Sequence, residues 1–381
     1  MLKGTRFALL GVAVVITTTV AAEAQIPEIT GSPVIDRPTL LEWPKDNPPA
    51  VPDLTEPTSN RLWDFHASID DCDMVLSTAG NYHMALRDLW FDHYLPSFSW
   101  SDHDGDDDND GRDWRRGGLR NWYYTTSPPI SAQQTVNGTL TIANLTANCL
   151  PQIAVGPGGL MNTLQSLQFA DGTWVTKGDR IPIIRNQGNV ILVKRGNPEN
   201  IRSVWDLARV NLVTSSPTTE PGSFGNYSGS IYNIAAAQRG PEAAARLFNE
   251  IFNNNDVRHG DDDDRRGRGR GLWLAGERIH HREVPWSIAY GQADAGLMFY
   301  HLAKFAVDSF PHLFEIVPLG GTVDSPDPVA GNRVGTLFAI RINGDWNRRQ
   351  YAAQEALIDD FLSPEFTVIL NQYGLVRPPG F

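Results

Sequence analysis

Positive charge is what this chain has little of. Its 381 residues carry 32 lysines and arginines against 44 aspartates and glutamates, a formal net charge of −12 with histidine neutral. The basic residues form no continuous stripe, so the clustered charge that neutralises phosphates is missing, which argues against a nucleic acid partner. Cysteine is nearly absent, with only Cys72 and Cys149. Neither has a C-x-x-C spacing or a neighbouring histidine pair, which removes the usual zinc arrangements. In an exported chain a Cys72–Cys149 disulfide is the economical reading, the alternative being two buried free thiols. No G-x-S-x-G motif occurs and no serine is marked as activated, so Ser-His-Asp hydrolysis has no local support. Long apolar runs are missing too, except at the N-terminus.

There, Lys3 and Arg6 precede an apolar run from Phe7 to Val20, and Ala22-Glu23-Ala24 stands before Gln25. Charge, apolar run and small-x-small site in that order are a cleavable leader over residues 1–24. A membrane anchor is the competing reading, but the run is shorter than the about 20 residues that a bilayer core of about 30 Å requires. No cysteine follows it to take a lipid. The expectation is a monomer without membrane insertion, exported to an oxidising compartment.

The rest of the chain is long enough for two lobes of about 100–200 residues each. Residues 25–70 are rich in proline, with Pro44, Pro48, Pro49, Pro52 and Pro57 in the stretch, and show no sustained period. They read as a tail lying extended on the surface. Patterning starts with the short buried-strand signal Met74-Val75-Leu76-Ser77. Thr78-Ala79-Gly80-Asn81 follows, then a helical face of Met84, Leu86, Leu89, Trp90 and Tyr94. Strand, small-residue turn and helix recur at Gln152 to Leu160 and again from Asn211 to Gln238. Further strands are expected at Val190–Val193, Ala293–Met298 and Glu315–Leu319. Strands alternating with helices predict an α/β fold with parallel sheets and ligand groups at strand carboxyl ends.

Three such ends carry small polar residues. Ser77, Thr78, Gly80 and Asn81 follow the first strand; Gly156, Gly158 and Gly159 the second; Thr214, Ser215, Ser216, Gly222 and Ser223 the third. Hydroxyls, and glycines that bare backbone N–H groups at helix N-termini, suit a small anion, since the helix dipole and the unpaired donors both favour negative charge. Capping and tight turns are the alternative use of the same residues.

The chain resembles the molybdate-binding-protein-like branch of the periplasmic solute-binding proteins of ABC transporters. The residues that carry the resemblance are Val193-Lys194-Arg195-Gly196-Asn197-Pro198 with Ser203-Val204-Trp205-Asp206-Leu207-Ala208, the loop from Pro217 to Tyr227, Ala289 to Gly296, Phe361-Leu362-Ser363-Pro364-Glu365 and Tyr373-Gly374-Leu375. The resemblance implies a type II periplasmic-binding-protein fold in which two α/β lobes joined by two crossovers close on a ligand, and docking on an ABC permease. It implies lobe 1 over 71–195 with an insertion at 101–118, lobe 2 over 196–300 with an insertion at 253–271, and a return to lobe 1 over 301–381. By position it places Ser77, Thr78, Gly158, Gly159, Ser216, Ser223 and Tyr300 in the cleft. Three features depart from the family pattern: the second loop lacks a hydroxyl, Glu220 puts a negative charge in the third, and His301 follows Tyr300. Molybdate, tungstate, another oxyanion and a small organic acid therefore all stay open as cargo.

Two charged segments interrupt the pattern. In Ser101 to Gly118, Asp106, Asp108, Asp110 and Gly111 have the spacing of a calcium loop, but Gly117 occupies the twelfth position where a bidentate glutamate belongs. Calcium is one reading; a solvated loop paired with Arg112, Arg115 and Arg116 is the other. Asp261 to Arg270 reads as a self-neutralising surface loop. His280-His281 with Glu283 suggests a metal, yet adjacent histidines on a strand point to opposite faces. Outside the carrier reading stand a calcium-stabilised sensor or adhesion module and a hydrolase. The carrier needs no cofactor.

Overall fold

A computed structural model of the protein describes residues 25–36, 65–66, 74–78, 80–98, 122–125, 131–138, 140–142, 145–147, 150–218, 220–253, 271–276 and 280–380. The expected leader, Asp106, Asp108 and Asp110, the run from Asp261 to Arg270, and both cysteines lie outside the described residues.

Among the described residues, two six-stranded sheets form the frame. The first contains β2 (Phe65–His66), β3 (Met74–Ser77), β4 (Trp122–Thr125), β7 (Ile153–Pro157), β8 (Thr176–Arg185) and β14 (Thr336–Ile342), in the order β2-β4-β3-β7-β14-β8. The second contains β1 (Val34–Asp36), β9 (Asn189–Lys194), β10 (Leu212–Thr214), β11 (Trp273–Gly276), β12 (Ala295–Phe299) and β13 (Phe314–Val317), in the order β1-β11-β10-β12-β9-β13. A hairpin of β5 (Leu140–Ile142) and β6 (Leu145–Ala147) stands apart. The apolar runs of β3 and β12 are buried from end to end, as expected of strands covered on both faces.

The pairs β3–β4, β3–β7, β10–β11 and β10–β12 are parallel. The edge pair β2–β4 of the first sheet is antiparallel, and both sheets turn antiparallel where β14 meets β7 and β8 and where β9 meets β12 and β13. These are the strands that cross between lobes: β8 leads into β9 through residues 186–188, and β13 into β14 through residues 318–335. A strand arriving from the other lobe runs against its new neighbours. The placement corrects two boundaries. Asn189–Lys194 and Phe314–Val317, expected in lobe 1, are strands of the second sheet, so lobe 2 begins at the Asn186–Gly188 crossover. The turn Lys194-Arg195-Gly196 resembles a boundary in composition but is only a connection within that lobe.

Helices cover both sheets. In lobe 1, α1 (His83–Asp88) continues through a π-helical stretch, Leu89–Tyr94, into the short α2 (Leu95–Ser97). The expected face of Met84, Leu86, Leu89, Trp90 and Tyr94 is buried. The core there combines Trp90 and Tyr94 with Phe361 of α9 (Arg348–Leu362) and Phe366 of α10 (Pro364–Gln372). The helices α3 (Ala132–Asn137) and α4 (Gly158–Gln165) pack on a separate core of Ala154, Ile340 and Ile342. Lobe 2 is built on the pair α5 (Pro221–Arg239) and α6 (Pro241–Phe252), with Phe224, Phe248, Phe252 and Trp273 in one aromatic cluster. It is completed by α7 (His280–Ala289) and α8 (Tyr300–Ser309).

The two crossovers are knitted by one side chain. Asn186 is buried; its Oδ1 accepts from Gly188 N (3.1 Å) and Gly335 N (3.0 Å), while its Nδ2 donates to the Tyr82 hydroxyl (3.0 Å). Beside it, Asn332 Oδ1 accepts from Asn189 N (2.8 Å), and Asn332 Nδ2 donates back to Asn189 O (2.9 Å). A polar group so deeply placed is tolerated because its hydrogen bonds are made.

Candidate functional site

In lobe 1 the first loop leaves β3 through the buried Ser77 and Thr78, turns at Gly80–Tyr82 in a 3-10 turn, and starts α1. In lobe 2 the third loop leaves β10 at Thr214. Thr214 Oγ1 accepts from Trp273 Nε1 (3.0 Å) and donates to Ser215 O (2.9 Å). Ser216 folds the next turn, with Oγ accepting from Thr218 N (3.2 Å). Glu220 precedes α5, and its N–H donates to Ser216 O (3.1 Å). Between these anchored neighbours Ser215 is fully buried, and its hydroxyl has no hydrogen-bond partner among the described residues.

The two loops meet across the lobes. Asn81 Nδ2 donates to Ser223 Oγ in the first turn of α5 (3.0 Å). The Asn81 carbonyl accepts from His301 Nε2 (2.7 Å), which fixes the proton on that nitrogen. The His301 ring stacks on Tyr82 (4.7 Å between centroids) and lies 5.5 Å from Phe299. One turn along, His83 of lobe 1 stacks on His281 of lobe 2 at 4.8 Å. Burial pushes the Tyr82 phenol up to about 12, partly offset by the Asn186 amide. Tyr227, whose ring lies 5.0 Å from Phe299, is held well above the usual phenol range by burial first and by the Glu220 charge second. Both phenols thus remain neutral hydrogen-bonding groups near neutral pH.

The structure brings the expected first-loop and third-loop residues together: Asn81 and Ser223 touch, with Ser77, Thr78 and Gly80 behind one and Ser215 and Ser216 behind the other. Gly158 and Gly159 begin α4 after β7, and the Gly158 carbonyl accepts from Arg180 Nη1 of β8 (3.4 Å). Tyr300 faces elsewhere. Its hydroxyl donates to Val323 O in the second crossover (2.7 Å), and burial, then Asp324, raises its phenol. Its neighbour His301 takes the place at the lobe interface. His280 and His281 open a helix, correcting the strand reading, and no group of three or more metal-capable side chains forms among the described residues. Sequence reasoning missed Asn186, Tyr82, His83 and His301. The His301 departure from the family pattern was the one signal that could have pointed to them.

A family profile described as bacterial extracellular solute-binding protein matches residues 155–376. A search of curated proteins gives no match. Among solved structures, the sulfate-binding protein SubI from Mycobacterium tuberculosis H37Rv is 14% identical at a TM-score of 0.49, over 81% of this chain and 88% of that one. PEB3 bound to L-phospholactate is 15% identical at 0.45, over 80% of this chain and 100% of that one. AgtB from A. tumefacien R10, in complex with agropinic acid, is 11% identical at 0.45, over 79% of this chain and 80% of that one. The match to the profile spans more than half of the chain, and the chain belongs to the family of bacterial extracellular solute-binding proteins.

Proposed function

We propose that this protein is a periplasmic carrier, exported by its leader, that takes a small anion between its lobes and delivers it to an ABC permease, with no chemistry of its own. The observation that carries the reading is the buried, unpartnered hydroxyl of Ser215, at the carboxyl end of β10 and ahead of the N-terminus of α5. A buried hydroxyl without a partner costs about 1–3 kcal/mol, a cost that a ligand oxygen removes. Hydroxyls and amides from Ser77, Thr78, Asn81, Ser216 and Ser223, with the backbone at Gly80, supply further donors, and the α5 N-terminus adds its dipole.

Glu220 sharpens the cargo class. Its carboxylate acts on the Tyr227 phenol and stands at the start of α5, so a ligand seated there meets a negative charge as well as the Ser215 hydroxyl. A small organic acid carrying a hydrogen-bond donor satisfies both, whereas a bare tetrahedral oxyanion satisfies only the second.

Ser215→Ala discriminates this reading from a purely structural loop. Without ligand the variant is expected to match or slightly exceed the parent in stability, because an unsatisfied buried group is removed. With ligand, affinity falls by about tenfold, the equivalent of one lost hydrogen bond of about 1.4 kcal/mol. The ligand comes from a thermal-shift screen of small organic acids, sulfate, phosphate, molybdate and tungstate, with and without calcium, since a binder raises the melting temperature by mass action. The reading fails if no anion raises it. The role of Ser215 fails if the variant binds a responding anion as the parent does.

A further inference from the structure

The proline-rich segment after the leader carries more than its composition suggests. Ile26 and Ile29 pack against the lobe-2 core. Between and beyond them, Asn253, just past the end of α6, holds the backbone. Its Oδ1 accepts from Thr30 N (2.6 Å) and Gly31 N (3.2 Å), and its Nδ2 donates to Glu28 O (2.7 Å) and to Asn249 Oδ1 (2.7 Å). Both amide hydrogens and both carbonyl lone pairs are therefore used, the full capacity of an asparagine side chain. The segment then enters β1, which pairs in parallel with β11 through Val34↔Leu274, Ile35↔Ala275 and Asp36↔Gly276. Among the described residues β1 is the outermost strand of the second sheet, and without it β11 would present an open edge there.

We infer that the outer edge of β11 together with Asn253 is a peptide-docking surface, occupied by this chain's own residues 25–36 as a detachable clasp. The recognition is strand addition: backbone hydrogen bonds to an open edge supply attachment, and alternate side chains supply selectivity. The fitting partner is an extended peptide with two isoleucines three residues apart, ahead of a short strand. The attachment is local. Gln25, Glu28, Thr30, Ser32 and Val34 are exposed, and the paired strand is three residues long. An element held by so few groups belongs to the least stable part of a fold and opens without the cores opening. The clasp does not depend on any cargo, so it stands or falls separately from the carrier reading.

Hydrogen exchange on the intact chain, parent against Asn253→Ala, tests it directly. Exchange at residues 26–36 is expected to accelerate by about tenfold or more as the clamp bonds are lost, while the amides of β3, β7 and β14 in lobe 1 keep their protection. Unchanged exchange at Thr30 and Gly31 overturns the inference, as does equal acceleration through both lobes. A second measurement uses the chain begun at residue 37 and a synthetic peptide of residues 25–36. Saturable binding that restores the melting temperature is expected, lost when Ile26 and Ile29 of the peptide are both changed to aspartate. No saturable binding, binding indifferent to those changes, or a truncated chain that does not fold would each show that the segment is not a detachable clasp.

Discussion

Asn186→Leu is expected to destabilise the protein by about 3–5 kcal/mol in urea denaturation. Leucine has similar bulk but no acceptor, so Gly188 N and Gly335 N are left as buried donors at about 1–3 kcal/mol each, and the Tyr82 hydroxyl loses its donor as well. The loss falls where both connections between the lobes run side by side. A functional effect should follow: Tyr82 sits between the hinge and the His301 ring, and ligand affinity should fall further than the Ser215→Ala change produces. A loss below about 1 kcal/mol would mean that water or backbone adjustment replaces the amide, and that Asn186 does not hold the two crossovers together.

Gly331→Ala should cost about 2–4 kcal/mol. Gly331 lies in the second crossover at φ +90, a left-handed conformation that a side chain strains, and a Cβ there would stand 2.4 Å from the carbonyl carbon and oxygen of Asn233 in α5. Neither atom can rotate away, because both belong to helix backbone. Gly240→Ala is the control for backbone strain alone: its φ is +83 and its ψ 162, and nothing lies within 4 Å of the added carbon, so only the conformational part, about 1–3 kcal/mol, is expected. The difference between the two melting curves isolates the close approach of crossover and helix. Equal losses would show that this approach is loose and does not position α5, whose first turn carries Ser223.

Much of the frame could be read from local pattern. Met74–Ser77, Val190–Val193 and Ala295–Met298 are apolar runs closed by small or charged residues, and each is a buried strand. The hydroxyl and glycine clusters at Ser77 and Ser215 stand at strand ends, where their sequence neighbours had put them. What joins them was not legible. The contact from Asn81 to Ser223 spans 142 residues, and the bond from Gly335 to Asn186 spans 149, so no local signal marks either partner. The N-terminal clasp was read as a featureless tail because Ile26 and Ile29 are isolated apolar residues without a period, and its strand partner lies some 240 positions away. Pro285 hid α7. A proline inside a helix breaks the expected pattern, and His280-His281 then looks like part of an extended segment. The family position pointed to the Tyr300 phenol, which bonds Val323 O, while the neighbouring His301 imidazole bonds the first loop at Asn81 O.

The two ends of the described chain rest on different lobes. The segment from Ile26 to Asp36 lies on the second sheet, whereas Val376 exchanges backbone hydrogen bonds with Arg185 on the first, at 2.8 and 3.0 Å. A donor fluorophore placed ahead of Ile26 and an acceptor placed behind Val376 would therefore ride on separate bodies. Any rotation about the Asn186 crossover would change the energy transfer between them, which makes these two positions attachment points for an optical reporter of motion between the lobes.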